Sequence, residues 1–174
     1  PVVFICENNF YSVYSPLSVR QPAKRSITKM VKSIGPKVLK CDGNDVIKIY
    51  KTLNKAVTET RKGNGPYFLE YFTYRWLEHC GPSYDNDIGY RTEQEFIDWK
   101  DKDPLVCFES QLITAGISTK ESLSSITEEV AVQVDQHKVP KRRAKYAPKR
   151  GPGVPKMIYF DKKDASVEKI VRAL

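Results

Sequence analysis

The sequence predicts an α/β fold, in which part of a doubly wound, mostly parallel sheet is followed by a helical C-terminal extension. Three patterns predict it: a continuous apolar run at residues 2–6, an amphipathic helical pattern that begins at Val46, and a hydrophobic strand at residues 67–76. Strand, helix and strand in this order are the building unit of such folds. The chain has 174 residues, of which 40% are apolar, and this is enough to bury a core and to exclude wholesale disorder.

The first strand is predicted from Val2 to Cys6 and is expected to be buried. Its apolar residues do not alternate with polar ones, as in parallel strands covered on both faces, and the polar residues 7–9 end it. The run lacks the basic segment of a signal peptide. It looks instead like the middle of a buried strand, so we expect the chain to begin inside a larger protein. Residues 12–25, which include two prolines, are predicted to form a loop.

A short helix is predicted from Ser26 to Ser33, where Gly35-Pro36 ends it. A longer helix is predicted to start at the Asp-Gly-Asn-Asp turn of residues 42–45 and to end near residues 63–66. Its apolar residues have the spacing of one helical face, and they are Val46, Ile49, Tyr50, Leu53 and Val57.

The strongest strand is predicted at residues 67–76 (YFLEYFTYRW). Both of its faces carry aromatic side chains, which fits either a central buried strand or an aromatic surface that stacks on nucleic-acid bases. The buried strand is favoured because a stacking surface would leave the opposite face polar. A polar loop is predicted to follow over residues 77–91.

The rest of the folded part is predicted to be helical. Thr92 with Glu95, and Ser118 with Glu121, have the spacing of a capping box, in which each residue bonds the backbone of the other at a helix start. Helices are therefore predicted at residues 93–100 and 119–137, with a further helix between residues 104 and 115.

The net charge of +8 lies in one segment, residues 138–156 (KVPKRRAKYAPKRGPGVPK), which holds eight Lys or Arg and no acidic residue. Its prolines and glycines oppose regular structure and predict a solvated linker or tail. An arm that binds nucleic-acid phosphates and a surface for an acidic protein are the alternatives. The segment alone does not make nucleic acid an expected partner. No apolar run approaches the roughly 18 residues that span a bilayer, so no membrane association is expected.

The cysteines and histidines restrict the possible chemistry. The four cysteines contain no C-x-x-C pair, which argues against a zinc site or a redox pair. We expect free thiols in a reducing compartment, and hence a cytoplasmic protein. Only two histidines occur, and a nucleophile pair of His79 and Cys80 is disfavoured because nothing obvious orients the base.

Four stretches, in this order and spacing, resemble the alpha subunit of thiamine-diphosphate-dependent 2-oxo acid dehydrogenases, the decarboxylating first component of pyruvate dehydrogenase-type complexes. The resemblance covers residues 1 to about 137 and implies a thiamine-diphosphate-binding fold. The stretches are VVFICENNFYSVYSP (2–16), CDGNDVIKIY (41–50), GPYFLEYFTYRWLEHC (65–80) and YRTEQEFIDWKDKDPL (90–105).

The resemblance implies thiamine diphosphate and Mg²⁺ as cofactors. In the family, the metal joins the cofactor diphosphate to an Asp of an upstream Gly-Asp-Gly motif, an Asn side chain and a backbone carbonyl, a set of hard oxygens that suits Mg²⁺. Carried over, Asn9 supplies the side-chain oxygen and Tyr11 the carbonyl. The alternative for Asn9 is an ordinary turn residue after a strand.

The resemblance also implies roles for a loop and its neighbours. His79 matches the histidine of the active-site loop near the diphosphate, which makes it the candidate catalytic residue and a cofactor-binding residue; an exposed loop histidine is the alternative. Tyr90 and Arg91 match the Tyr-Arg pair of the same loop and are expected at the cofactor site.

Three more roles complete what the resemblance implies. Arg91 is expected to hold the loop closed through a carboxylate, either Asp85 or Asp87. Ser12 belongs to the loop that lines the cofactor site, and Arg75 is assigned a structural role.

Several features of the sequence depart from the family pattern. The Gly-Asp-Gly half of the motif is absent, and the glutamate that activates the cofactor belongs to the beta subunit. The usual His-Ser pair is His79-Cys80, which removes a serine that could be phosphorylated. Residues 157–174 faintly resemble the opening of a beta subunit, so three segments are expected: the alpha-subunit domain at 1–137, the linker at 138–156 and a possible beta start at 157–174.

The expected function is oxidative decarboxylation of a 2-oxo acid with acyl transfer to a lipoyl carrier. The chain is expected to supply part of the alpha-subunit cofactor site and to be inactive alone. Its expected partners are a beta subunit, separate or fused, in an α2β2-type assembly, and a lipoyl-bearing acyltransferase. The alternatives are a non-catalytic relic or assembly subunit, and a nucleic-acid-binding module that acts through residues 138–156.

Overall fold

The computed structural model describes residues 1–136, and in it the chain divides into two compact units, of which the first is Pro1–Phe108 and the second begins at Glu109. The elements in chain order are β1 (Val3–Asn8), β2 (Tyr11–Ser12), β3 (Ser15–Pro16), α1 (Leu17–Arg20), α2 (Ile27–Ser33), β4 (Lys37–Asp42), α3 (Val46–Arg61), β5 (Tyr67–Phe72), a 3-10 turn (Asn86–Ile88), α4 (Glu93–Lys100), α5 (Pro104–Thr114) and α6 (Lys120–Gln136). The expected segments at 138–156 and 157–174 lie outside the described residues.

The first unit is built on a parallel sheet with the strand order β1-β5-β4, which confirms the predicted mixed α/β architecture. β5 is the central strand, and Leu69 is paired with Ile5 on one side and Leu39 on the other. Leu69 and Ala56 of α3 are both 0% exposed. The buried aromatic rings of β5 therefore belong to the core rather than to a base-stacking surface.

Local sequence signals start α2, α3 and α4 where they were predicted. Ser26 caps α2, Asp45 caps α3 and Thr92 caps α4, and each side chain accepts a hydrogen bond from the backbone N–H three residues later. Gly63 follows α3 with a φ of +83°, a left-handed conformation that glycine adopts without strain.

The prediction that the first strand is buried was wrong. Phe4 and Ile5 are 50% and 54% exposed. The reason is that β1 is an edge strand of the described sheet and pairs only with β5.

Two other boundaries differ from the prediction. Residues 12–25 are not simply a loop, because β2 and β3 form a small antiparallel hairpin that leads into α1. The strand predicted at 67–76 ends at Phe72, opposite the last residues of both neighbouring strands, Asn8 and Asp42. Beyond Phe72 no continuous ladder remains to hold the chain extended.

The described residues of the second unit, 109–136, are mainly helical, as predicted for this part of the C-terminal extension, and the boundary between the units falls within α5. The cap of α6 is Thr119 rather than the predicted Ser118, since the Thr119 hydroxyl accepts the N–H of Ser122. The backbone N–H of Ser118 instead donates to the carbonyl of Leu112 at 3.3 Å, a bond that helps to end α5.

Candidate cofactor and metal site

The candidate site is centred on the turn that leaves the carboxyl end of β1. The Asn8 side-chain oxygen accepts the N–H of Phe10 at 3.1 Å, and the Asn9 side-chain oxygen accepts the N–H of Tyr11 at 3.0 Å. Each bond joins a side chain to the backbone two residues on, which is a recurrent way for Asn to fix a turn. Phe10, which lies between Asn9 and Tyr11 in the chain, has a φ of +64°, an uncommon value for a bulky residue.

The hydrogen-bond pattern of the hairpin indicates that the two predicted metal-binding oxygens face one side. The N–H of Leu17 donates to the carbonyl of Phe10 at 2.7 Å, and bonded pairs alternate with non-bonded pairs along an antiparallel ladder. Tyr11 occupies the next, non-bonded pair, so its N–H and carbonyl point away from β3. On the side away from β3, the Tyr11 N–H donates to the side-chain oxygen of Asn9. The Tyr11 carbonyl therefore faces the same side as the Asn9 oxygen.

This donor set fits part of a magnesium site. An amide oxygen has two lone pairs, so the bond from Tyr11 leaves one for a metal, and Mg²⁺ prefers hard oxygen ligands of this kind. Within residues 1–136, no group of three or more His, Cys, Asp or Glu side chains is placed to hold a metal ion. A complete coordination shell would therefore draw further oxygens from other groups.

The side chain of Tyr11 ties the turn to α4. Its hydroxyl donates to Oε2 of Glu95 at 2.6 Å, and its ring packs edge-on against Tyr90 with 5.4 Å between the centroids. Burial raises the pKa of Tyr11, and the hydrogen bond to the Glu95 carboxylate raises it further. Tyr11 is therefore a neutral hydrogen-bond donor at physiological pH.

Asp85, Tyr90, Arg91 and Arg75 form a second group, here called the Asp85 cluster. The Asp85 carboxylate is 1% exposed and accepts from the Tyr90 hydroxyl at 2.6 Å and from the guanidinium of Arg91. Arg75 donates to the Tyr90 hydroxyl and to the carbonyl of Val13, both at 2.9 Å. The cluster thus holds the hairpin of β2 and β3 against residues 85–91.

Arg91 closes the loop at residues 77–91, as the sequence led us to expect. It pairs with Asp85, which was one of the two predicted carboxylates, and donates to the carbonyls of Arg75 and Trp76 at 2.6 and 3.1 Å. Its guanidinium also lies over the ring of Tyr74, 5.1 Å from the centroid. These contacts join the residues that precede the loop to the residues that end it.

The structure connects some predicted site residues and leaves others apart. Asn9 is bonded to Tyr11, whose ring contacts Tyr90, and Tyr90 and Arg91 share Asp85. Ser12 is exposed in the hairpin, paired with Ser15. His79 is exposed, and within residues 1–136 no hydrogen bond, ion pair or ring contact joins it to the others.

Sequence reasoning missed three residues that support the turn: Asn8, Glu70 and Glu95. Glu95 was interpreted as half of a capping box, but only Thr92 caps α4, and the Glu95 carboxylate accepts from Tyr11 instead. Glu70 did leave a signal, because it is the one charged residue among the hydrophobic residues 67–72 (YFLEYF).

The described part of the chain contains no helix that is both long and apolar enough to cross a membrane.

Comparisons with known proteins agree on one family. Residues 1–150 match the family described as dehydrogenase E1 component. The 2-oxoisovalerate dehydrogenase subunit alpha of Bacillus subtilis (strain 168) is 30% identical over 147 residues, which are 84% of this chain and 44% of that protein. The pyruvate dehydrogenase E1 component subunit alpha of Acholeplasma laidlawii is 33% identical over 135 residues, which are 78% of this chain and 39% of that protein. The chain therefore spans less than half the length of these curated relatives.

Proposed function

The chain belongs to the dehydrogenase E1 component family of thiamine-diphosphate-dependent enzymes, and we propose that it supplies part of the cofactor site of the alpha subunit of a 2-oxo acid dehydrogenase. In the proposed reaction a 2-oxo acid is oxidatively decarboxylated and its acyl group passes to a lipoyl carrier. The similarity to alpha subunits of pyruvate and 2-oxoisovalerate dehydrogenases supports this substrate class.

The observation that carries the proposal is the turn after β1. The Asn9 amide oxygen accepts the Tyr11 N–H just beyond the carboxyl end of a parallel strand, where open α/β sheets bind ligands. The alternation of the hairpin ladder indicates that the Tyr11 carbonyl faces the same side. We propose that these two oxygens bind Mg²⁺, which in turn holds the diphosphate of the cofactor. When bound, thiamine diphosphate supplies the carbanion chemistry, and the protein supplies orientation and exclusion of water.

The loop residues are given the remaining roles. We propose that His79, exposed on the loop, donates a hydrogen bond to the diphosphate and is the catalytic residue of this chain. Arg91 and Tyr90 hold the loop through Asp85, and Ser12 lines the approach to the cofactor.

The partners follow from the resemblance to alpha subunits. In that family the cofactor lies between the alpha and beta subunits, so we propose that the chain is inactive alone and works with a beta subunit, separate or fused, in an α2β2-type assembly. A lipoyl-bearing acyltransferase would accept the product. The proposed organisation is an alpha-subunit domain at 1–137, a linker at 138–156 and a possible beta start at 157–174, and the proposed location is the cytoplasm.

The testing experiment uses the complete protein purified with its partner subunit. With Mg²⁺, thiamine diphosphate and either pyruvate or a branched-chain 2-oxo acid, we expect release of carbon dioxide and reduction of an artificial electron acceptor. Asn9→Ala should lower Mg²⁺ affinity, whereas Asn64→Ala, which alters an exposed contact with Glu59, should not. A complex that assembles normally but binds neither Mg²⁺ nor thiamine diphosphate would contradict the proposal and would favour a non-catalytic assembly subunit.

A further inference from the structure

A charged residue lies in the centre of the sheet, close to the proposed metal-binding turn. Glu70 in β5 is 3% exposed, and burial of a carboxylate is costly unless a hydrogen bond satisfies it. Its Oε1 accepts from Nδ2 of Asn8 at 2.7 Å, and Asn8 is itself 8% exposed. Because Glu70 is opposite Cys6 in the parallel register, Asn8 reaches it diagonally from the last position of β1.

This contact fixes which way the Asn8 amide points. A carboxylate can only accept hydrogen bonds, so the NH₂ group of Asn8 must face Glu70 and its oxygen must face the other way. That oxygen accepts the N–H of Phe10 at 3.1 Å. A reversed amide would place two acceptors against each other at Glu70 and would leave the Phe10 N–H without this bond.

The Phe10 backbone depends on such support. Its φ of +64° is a left-handed conformation, which a bulky residue keeps only where the surroundings enforce it. The ring is stacked on Phe72 with 5.8 Å between the centroids, and the Asn8 oxygen holds the N–H. Phe10 lies between Asn9 and Tyr11, so its conformation sets where their two oxygens face.

We propose that Glu70 is a positioning residue, whose buried carboxylate orients the Asn8 amide and thereby holds the turn that presents the Asn9 and Tyr11 oxygens. Glu70 acts through Asn8 and touches neither metal nor substrate. This inference rests on the proposed function for the metal, but the contact between Glu70 and the turn can be tested without it.

The test compares Glu70→Leu with Glu70→Gln in the complete protein with its partner subunit. Hydrogen–deuterium exchange of the peptide that contains residues 8–12 reports on the turn without metal, and Mn²⁺ titration with thiamine diphosphate reports on the site. Glu70→Leu should speed exchange in that peptide about tenfold and weaken Mn²⁺ binding about 10- to 100-fold, the usual effect of losing an outer-shell partner. Glu70→Gln keeps an acceptor for Asn8 and should remain close to the wild type in both measurements.

Thr60→Val is the matched control, because Thr60 is a buried polar residue of α3, 4% exposed, whose hydroxyl has no hydrogen-bond partner within residues 1–136. It should change neither measurement. If Glu70→Leu fails to fold, Asn8→Ala takes its place, because that substitution removes both bonds of the Asn8 amide. It should then speed exchange at residues 8–12 and weaken Mn²⁺ binding, as expected for Glu70→Leu.

The outcomes separate the two proposals. If the wild type binds Mn²⁺ and Glu70→Leu binds it equally well, the proposed role of Glu70 is overturned but the proposed function is not. Exchange that rises equally in α3 and in the turn would also overturn it, because Glu70 would then support the whole unit. Failure of the wild type to bind Mn²⁺ with thiamine diphosphate would overturn the proposed function itself.

Discussion

Tyr11 and Glu95 are joined by a 2.6 Å hydrogen bond although 84 positions separate them in the chain. The bond connects the turn after β1 to the first helical turn of α4. Together with the contact of Tyr11 with Tyr90, it holds the candidate metal-binding turn against elements from the other end of the first unit. The geometry of the turn is therefore a property of the folded unit and not of the local sequence alone.

Replacing Tyr11 by Phe should remove this connection while it preserves the ring. We expect the free energy of unfolding to fall by about 1.5 kcal/mol, the lower end of the range for a hydrogen bond to a charged group, because the bond is only partly buried. Urea unfolding of the complete protein measures the change. Tyr14→Phe is the control, because Tyr14 is 41% exposed and also packs against Tyr90. Equal effects of the two substitutions would contradict a specific contribution from the Tyr11 hydroxyl.

Alkaline pH should destabilise the first unit through its buried and half-buried tyrosines. Burial raises the pKa of Tyr11, Tyr71, Tyr74 and Tyr90 above the ordinary value of 10.0. Between the unfolded and folded pKa values the unfolded chain binds fewer protons, so stability is fully present below pH 10 and falls as pH rises above it. Urea midpoints measured on both sides of pH 10 should show the decline. A midpoint that stays constant through this range would show that the rings are accessible.

Removing Arg91 should be more damaging than removing an exposed arginine. Arg91→Ala removes the nearer of two cations from the carboxylate of Asp85, which is 1% exposed, and leaves Arg75 at 3.9 Å; breaking a buried pair in this way costs about 3–5 kcal/mol. Arg61→Ala, at the exposed end of α3, is the control and should change stability little. Thermal and urea unfolding compare the two. Similar losses for both variants would mean that the Asp85 cluster does not depend on the pair.

Gly43 should tolerate no side chain. A Cβ at this position would lie 2.8 Å from the Phe72 carbonyl oxygen and 3.0 Å from Cβ of Tyr71. The backbone N–H of Gly43 donates to the same carbonyl at 2.7 Å. Gly43→Ala should therefore cost about 1–3 kcal/mol, as overpacking does elsewhere.

Gly81→Ala is the informative comparison for Gly43→Ala. The atoms near its Cβ belong to the flexible side chain of Glu78, which can move away. Urea unfolding should show a clear loss for Gly43→Ala and a small one for Gly81→Ala. The opposite order would show that the backbone at the ends of β4 and β5 yields more readily than the geometry indicates.

The elements that short-range patterns specify were predicted well. Capping side chains and apolar spacing located α3 and α4 because both act within a few residues. The exposure of Ile5 was not predictable in this way, since a strand is buried only if other strands or helices cover it. The end of β5 at Phe72 likewise depends on where β1 and β4 end, which the local sequence does not contain.

The candidate site shows the same division. Asn9 and Tyr11 were identified through a family resemblance carried by contiguous residues. Their supports are distant in sequence: Glu70 is 62 positions from Asn8, and Glu95 is 84 positions from Tyr11. Such pairs become visible only when the sheet and the loop are assembled, although an isolated charge in a hydrophobic strand is a reason to look for one.

The edge position of β1 has a practical consequence for anyone who produces this chain by itself. Within residues 1–136, one side of β1 offers unpaired backbone groups flanked by half-exposed Phe4 and Ile5, and such an edge can pair with another molecule. The isolated chain should therefore aggregate as its concentration rises. A lysine in place of Ile5 should keep it in solution longer, because a charge on an edge strand opposes strand-to-strand association.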